Sequence, residues 1–258
     1  TQLDRKFSHG LLFRAAYTYS KMIDDASEIF TTGNWSAYPS VQAPVNRGDF
    51  DRGLSAFDVR NRVALTWVYD LPHYIAANNI FEKGMGHVAN GWSVSGIATF
   101  QSGTPINVED GFDNNGDLIG NDRPNLNNAR APLTSWAFDN GDGTFSDALT
   151  NATVTDLSRY HWVVPFSGPG NFGRNAQIGP GFRNWDLAVA RSFSMTEKQQ
   201  LVFRADMFNA FNQSNTDYTL VNATLLTGTT ATGTNTFLNY PLDGAGNREI
   251  RFWLKYQF

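Results

Sequence analysis

Residues 250–258 put Ile250, Phe252, Leu254, Tyr256 and Phe258 on one side of an extended chain and Arg251, Lys255 and Gln257 on the other, with Trp253 the exception. A period of two is that of a β-strand, whose successive side chains point to opposite faces. Five earlier segments share it. Phe13, Ala15, Tyr17 and Tyr19 oppose Arg14, Ala16, Thr18 and Ser20. Val59, Val63, Leu65, Trp67 and Tyr69 oppose Arg60, Arg62, Thr66 and Asp70, with Asn61 interrupting the apolar row. Trp92, Val94, Ala98 and Phe100 oppose Ser93, Ser95, Thr99 and Gln101. Trp185, Leu187, Val189 and Phe193 oppose Asn184, Asp186, Ala188 and Ser192, and Leu201, Phe203, Ala205 and Met207 oppose Arg204 and Asp206. Six strands of roughly 9–11 residues, with aromatic rings gathered toward their ends, match the span of a tilted membrane strand. A soluble sandwich also alternates and also packs aromatics, so the pattern leaves both open.

Connection lengths favour the membrane. Residues 21–58, 102–183 and 210–248 are long connections, whereas 71–90 and 194–200 are shorter. Long and short alternate along the chain, as they do in outer-membrane barrels with long external loops and short periplasmic turns. This predicts an all-β chain, an antiparallel transmembrane barrel segment with the three long loops outside and the C-terminus in the periplasm. Six strands are too few to close such a barrel, for which about eight is the minimum. The expectation is therefore the C-terminal part, residues 1–258, of a larger barrel whose other strands precede Thr1. The chain begins without a signal peptide, as expected of a mature product or a piece of a longer one.

Composition agrees without deciding. Aromatics are 14% and charged residues only 17%, and mean hydropathy is −0.36, a mixture that suits a lipid-facing band backed by polar surface. No run of 18 apolar residues is present to form a membrane helix. The absence of cysteine excludes disulfides and thiolate metal sites. A net charge of −4 gives no support to nucleic-acid binding.

Candidate sites are few. Residues 110–122, DGFDNNGDLIGND, carry Asp113, Asn115, Asp117 and Asp122 around Gly116 and Gly120. Alternating oxygen donors on a glycine-relaxed loop suit Ca²⁺, although the EF-hand's glycine and closing glutamate are replaced by Leu118 and Pro124. An acidic solvated turn would use the same residues. Asp139, Asn140, Asp142 and Asp147 form a second, weaker version. Arg14, Arg60, Arg62, Asp186, Arg204 and Asp206 share the polar face, where they would form ion pairs, meet a plug or guide a charged solute; Arg191 falls on the apolar side. The glycine-rich run 168–181 lacks phosphate-loop spacing and reads as a tight re-entry into the wall. Residues 224–236, rich in Thr, Gly and Ala, read as a loop crest. His9, His73, His87 and His161 are scattered and no nucleophile elbow occurs, so no enzyme is expected.

Several stretches resemble one family. FSHGLLFRAAYTYSKMIDD (7–25), DVRNRVAL (58–65), GWSVSGIATFQSGTP (91–105), IGPGFRNWDLAVARSF (178–193), LVFRADMFNAFN (201–212) and the terminal 248–258 are similar, in order, to the last strands of TonB-dependent outer-membrane receptors, particularly the Oar-like group with a carboxypeptidase-regulatory-like N-terminal domain. The resemblance implies a barrel of 22 strands, a plug domain upstream, a TonB-type energy-coupling complex acting through that missing region, outer-membrane lipid around the wall, and a terminal aromatic read by the barrel-assembly machinery. The function it implies is uptake of a scarce bulky solute, with no cofactor other than the Ca²⁺ considered above. The competing expectation is a structural or adhesion protein whose barrel anchors exposed loops.

Overall fold

The computed structural model describes residues 1–27, 51–72, 90–118, 120–196, 199–215 and 247–258. Seven long strands carry the architecture: β1 (Gln2–Ser8), β2 (Leu11–Tyr19), β3 (Asn61–Asp70), β4 (Trp92–Gln101), β5 (Phe182–Thr196), β6 (Gln199–Phe208) and β7 (Glu249–Gln257). They form one sheet in chain order, each strand antiparallel to the next. The sheet is open, with β1 and β7 at its edges.

Register turns the six separate alternations into continuous rows. Phe13, Trp67, Gly96, Leu187, Met207 and Ile250 align across six strands, and so do Leu11, Tyr69, Val94, Val189, Ala205 and Phe252. The neighbouring row on the opposite face is Arg14, Thr66, Ile97 and Asp186. A slip of one residue in any strand would put its apolar set among the polar ones. Gly96 has a specific reason in its row: a Cβ there would run into the Trp67 indole. That indole lies across the strand and meets Trp185 edge-on at 6.0 Å. Asn61, the polar interruption read in the sequence, accepts a hydrogen bond from the Tyr17 hydroxyl at 2.8 Å, so its place in the apolar row is matched by a polar-tipped aromatic.

Two predicted strand limits shift, and one strand is new. Val59 and Arg60 lie before β3, because Asp58 holds the incoming chain, accepting from the Met22 N–H at 2.6 Å and pairing with Arg60 at 3.3 Å. The β5–β6 connection contracts, since Thr196 already pairs with Gln199. β1 was not read from the sequence, where Arg5 breaks the alternation of Leu3 and Phe7. It is joined to β2 by the two-residue turn His9–Gly10, both with positive φ (51° and 77°), the hairpin geometry that matches strand twist.

Antiparallel order sends the connections 20–60, 102–181 and 209–248 to one end of the sheet, and 9–10, 71–91 and 197–198 to the other. At the first end the Phe-Asn-Ala-Phe-Asn stretch caps β6. Asn209 and Asn212 both take left-handed φ (46° and 51°), which Asn tolerates better than most residues. The Asn209 N–H donates to Asp186 at 2.9 Å, and its side chain exchanges hydrogen bonds with the Gln213 backbone.

Candidate functional site

The connection 102–181 is folded. Residues 102–181 build a four-stranded sheet from Phe145–Asp147, Trp136–Asp139, Trp162–Val164 and Asn125–Leu126, in that order. Its core is Ile106, Val108, Trp136, Trp162 and Val164, with Phe112, Leu133, Phe138, Ala148 and Phe172 packed around it. Trp162 is fully buried. Its ring lies 5.6 Å from Trp136 and 4.7 Å from Phe172, and its Nε1–H donates to the Leu133 carbonyl at 2.8 Å. His161 is buried beside it, the rings 4.3 Å apart, with Nδ1 2.8 Å from the Ala131 carbonyl oxygen; that is a packing role. His73, His87 and the run 224–236 lie outside the described residues.

A buried polar seam joins this unit to the preceding loop. Arg123 donates to Asp51 and to the Phe172 carbonyl, both at 3.0 Å. Arg174 donates to the Asp51 carbonyl at 2.7 Å, to Ser27 at 3.3 Å, and to the carbonyl and carboxylate of Asp24. Asn175 donates to the Leu54 carbonyl at 2.8 Å. Burial pushes the Asp24 carboxyl up, but hydrogen bonds from Ser55 and Arg174 outweigh it and hold the group below the usual carboxylate range. Sequence reading missed this seam, because its partners are up to 150 positions apart. The glycine-rich run makes the close approach possible: a Cβ at Gly170 would collide with the Arg123 carbonyl and Pro124 backbone.

Loop 110–122 sits in the same unit, and its predicted ligands divide. Asp113 turns its oxygens onto its own loop, accepting from Gly116 (2.7 Å), Asp117 (3.0 Å) and Leu118 (2.9 Å). Asn115 accepts from the Asp117 N–H at 2.9 Å and donates to its carboxylate at 3.2 Å. Asp122 instead points inward and is fully buried. Its Oδ2 accepts from the Asn114 and Asn115 N–H groups at 2.5 and 2.8 Å. Burial raises its carboxyl against those two hydrogen bonds, and the charges of Asp117 and Asp113 add to the rise. Asp110, which was not among the predicted ligands, is fully buried too. Burial pushes it up to about 8, against the pull of the Phe112 N–H and with the help of Asp122's charge. Among the described residues, no three His, Asp or Glu side chains converge as a metal cluster. The second acidic loop is turn chemistry: Asp139 accepts from Gly141, Asp142 from Thr144, and Asp147 from Leu149, Thr150 and the Tyr160 hydroxyl.

On the wall, the polar face carries the ion pairs Arg14–Asp4 (2.7 Å), Arg204–Asp206 (2.6 Å) and Arg251–Glu249 (2.6 Å). Thr66, Ser95, Ile97, Asp186, Arg204 and Phe208 line an open hollow of about 360 Å³ there. The other face bears a band of Trp, Phe, Tyr, Leu and Val. Its exception, Arg191, lays its guanidinium 4.1 Å from the Phe193 centroid and 5.2 Å from that of Trp92, which screens the charge with aromatic faces. Among the described residues no helix is long and apolar enough to cross a membrane.

A large antiparallel sheet with one continuous apolar face, one polar face and its long connections at one end defines an outer-membrane β-barrel protein. The outer membrane beta barrel domain family model matches residues 1–250, and the chain belongs to that family. No curated protein matches the chain, and neither does any solved structure. The family places the protein in the bacterial outer membrane and makes the seven long strands membrane strands.

Proposed function

We propose that the chain supplies barrel wall and ligand-facing external loops of a TonB-dependent transporter for a bulky solute. The observation that carries this reading is the folded loop unit at one end of a two-faced wall, whose polar face carries an open hollow. The ordered resemblance of six stretches to TonB-dependent receptors supports the energy source. Two open edges are not tolerated in hydrocarbon, so further strands complete the wall, in keeping with a 22-stranded barrel. In this reading the long connections face outward and the C-terminus lies in the periplasm. A plug upstream of Thr1 fills the lumen until a TonB-type protein displaces it, and no bond is made or broken in the solute.

The test starts with the native, membrane-extracted protein. Its intact mass should be much larger than 28.7 kDa, with a plug mapped upstream, and it should bind a purified TonB periplasmic domain. A complete 28.7 kDa species would overturn the single-chain transporter. A surface-anchoring role is the second reading, favoured by Leu118 (92% exposed) and Phe166 (65%), unusually bare apolar side chains on the loop unit. It predicts a longer chain that carries no plug, does not bind TonB, and attaches cells to a surface with the proton-motive force collapsed.

A further inference from the structure

A buried carboxylate needs something to answer its charge. The neck of loop 110–122 buries two. The Asp110 N–H donates to the Asp122 carbonyl at 2.8 Å, setting the two residues side by side. Asn114 ties both carboxylates together, its Nδ2 donating to Asp110 Oδ2 at 2.8 Å and its backbone N–H to Asp122 Oδ2 at 2.5 Å. Asp110 has both oxygens engaged, since Oδ1 accepts from Phe112 at 2.8 Å. Asp122 does not: its Oδ1 is buried and meets no donor. Arg123, next to Asp122 in the chain, donates to Asp51 and the Phe172 carbonyl, and Arg174 pairs with Asp24.

We propose that Asp110 and Asp122 form the anionic side of a Ca²⁺-class cation site at this neck, with Asp122 Oδ1 as its inner ligand. The donors named are all oxygens and the chain has no cysteine, which favours a hard cation. Ca²⁺ accepts a low carboxylate count because backbone carbonyls, amide oxygens and water complete its 6–8 ligands. Two carboxylates rather than four place the affinity in the weak range of extracellular modules, roughly 10⁻⁴–10⁻³ M. Asp113, Asn115 and Asp117 then shape the loop without binding the ion. The site is independent of whether the barrel transports anything.

The test uses the full-length protein in detergent micelles, stripped with chelator and held at mildly alkaline pH. Tb³⁺ should bind with sensitised emission that Ca²⁺ displaces, and millimolar Ca²⁺ should slow protease cleavage within 102–181. Asp122→Asn should weaken both responses roughly tenfold or more by removing a charged ligand, while Asp142→Asn, in the other acidic loop, leaves them unchanged. If Asp122→Asn fails to fold its loop, the wild type still decides. No displaceable Tb³⁺ emission and no Ca²⁺ protection would overturn the site, as would an Asp122→Asn protein that binds normally. Cleavage indifferent to Ca²⁺ but slowed by lowering the pH would mean that a proton, not a metal ion, answers the charge, and would also overturn it.

Discussion

The wall and the loop unit use the same residue types in opposite ways. In the loop unit Trp136 and Trp162 are 2% and 0% exposed, whereas on the apolar face of β7 Phe252 and Leu254 are 69% and 70% exposed. Water surrounds the loops, so their apolar groups must find each other. Lipid is the solvent of the wall, so its apolar face needs no cover. Polar groups show the inverse. Arg123 and Arg174 are enclosed and engaged, while Arg14, Arg204 and Arg251 make open pairs on the wall's polar face. One chain thus carries a core of the soluble kind standing on a sheet of the membrane kind, and the two should fail independently.

The sharpest separation comes from Trp162→Ala. Emptying the loop core should cost about 3–5 kcal/mol, seen as rapid proteolysis within 102–181. The barrel should keep its resistance to detergent denaturation; loss of both together would break the distinction. Next is a parity pair on the wall. Leu187→Arg puts a charge on the lipid face near mid-strand and should cost about 2–4 kcal/mol of membrane-folded stability. Thr66→Arg, on the polar face opposite Arg14, should cost no more than about 1 kcal/mol in the same folding titration. Equal effects would mean the apolar face does not meet lipid.

Arg174→Ala should loosen the seam between the two loops. The cost falls below the roughly 3–5 kcal/mol of a fully enclosed pair, because Asp24 keeps 26% of its side chain exposed. The same contact has a pH signature. The folded-state pKa of Asp24 is depressed, so its contribution is present above the unfolded carboxyl value and is lost as pH falls through the folded one. Hydrogen exchange at residues 22–27 should therefore quicken on acidification in the wild type and be fast and less pH-dependent in Arg174→Ala. The smallest effect is expected from Arg204→Ala. Its pair with Asp206 is half exposed on the Arg side, and such pairs contribute about 0–1 kcal/mol. A larger loss in a refolding assay would mean that something else in the lumen rests on that arginine.

Local pattern was enough for strand faces, because lipid and lumen select side chains residue by residue and leave a period of two. Leu201, Phe203, Ala205 and Met207 could be assigned a face without knowing any neighbour, and the register bears that out. The outer-membrane class followed from the same signal together with loop lengths. β1 was missed because Arg5 obscures its pattern, although Ser8-His9-Gly10-Leu11 carried a hairpin-turn signal that could have found it.

The loops were another matter. Asp113, Asn115 and Asp117 look like ligands when composition and spacing are all there is to read. Asp113 and Asn115 accept from backbone N–H groups within five residues, as turn formers do, and Asp117 accepts from the Asn115 amide. Asp110 gains its importance only from burial, and Arg174 only from Asp24 and Asp51 brought to it from the preceding loop. Local period, with loop lengths, is therefore enough for six strands, their two faces and the membrane class. The tertiary structure alone decided which charged groups in the loops are enclosed, because burial and the raised cost of an unanswered charge arise from contacts between segments that no local period records.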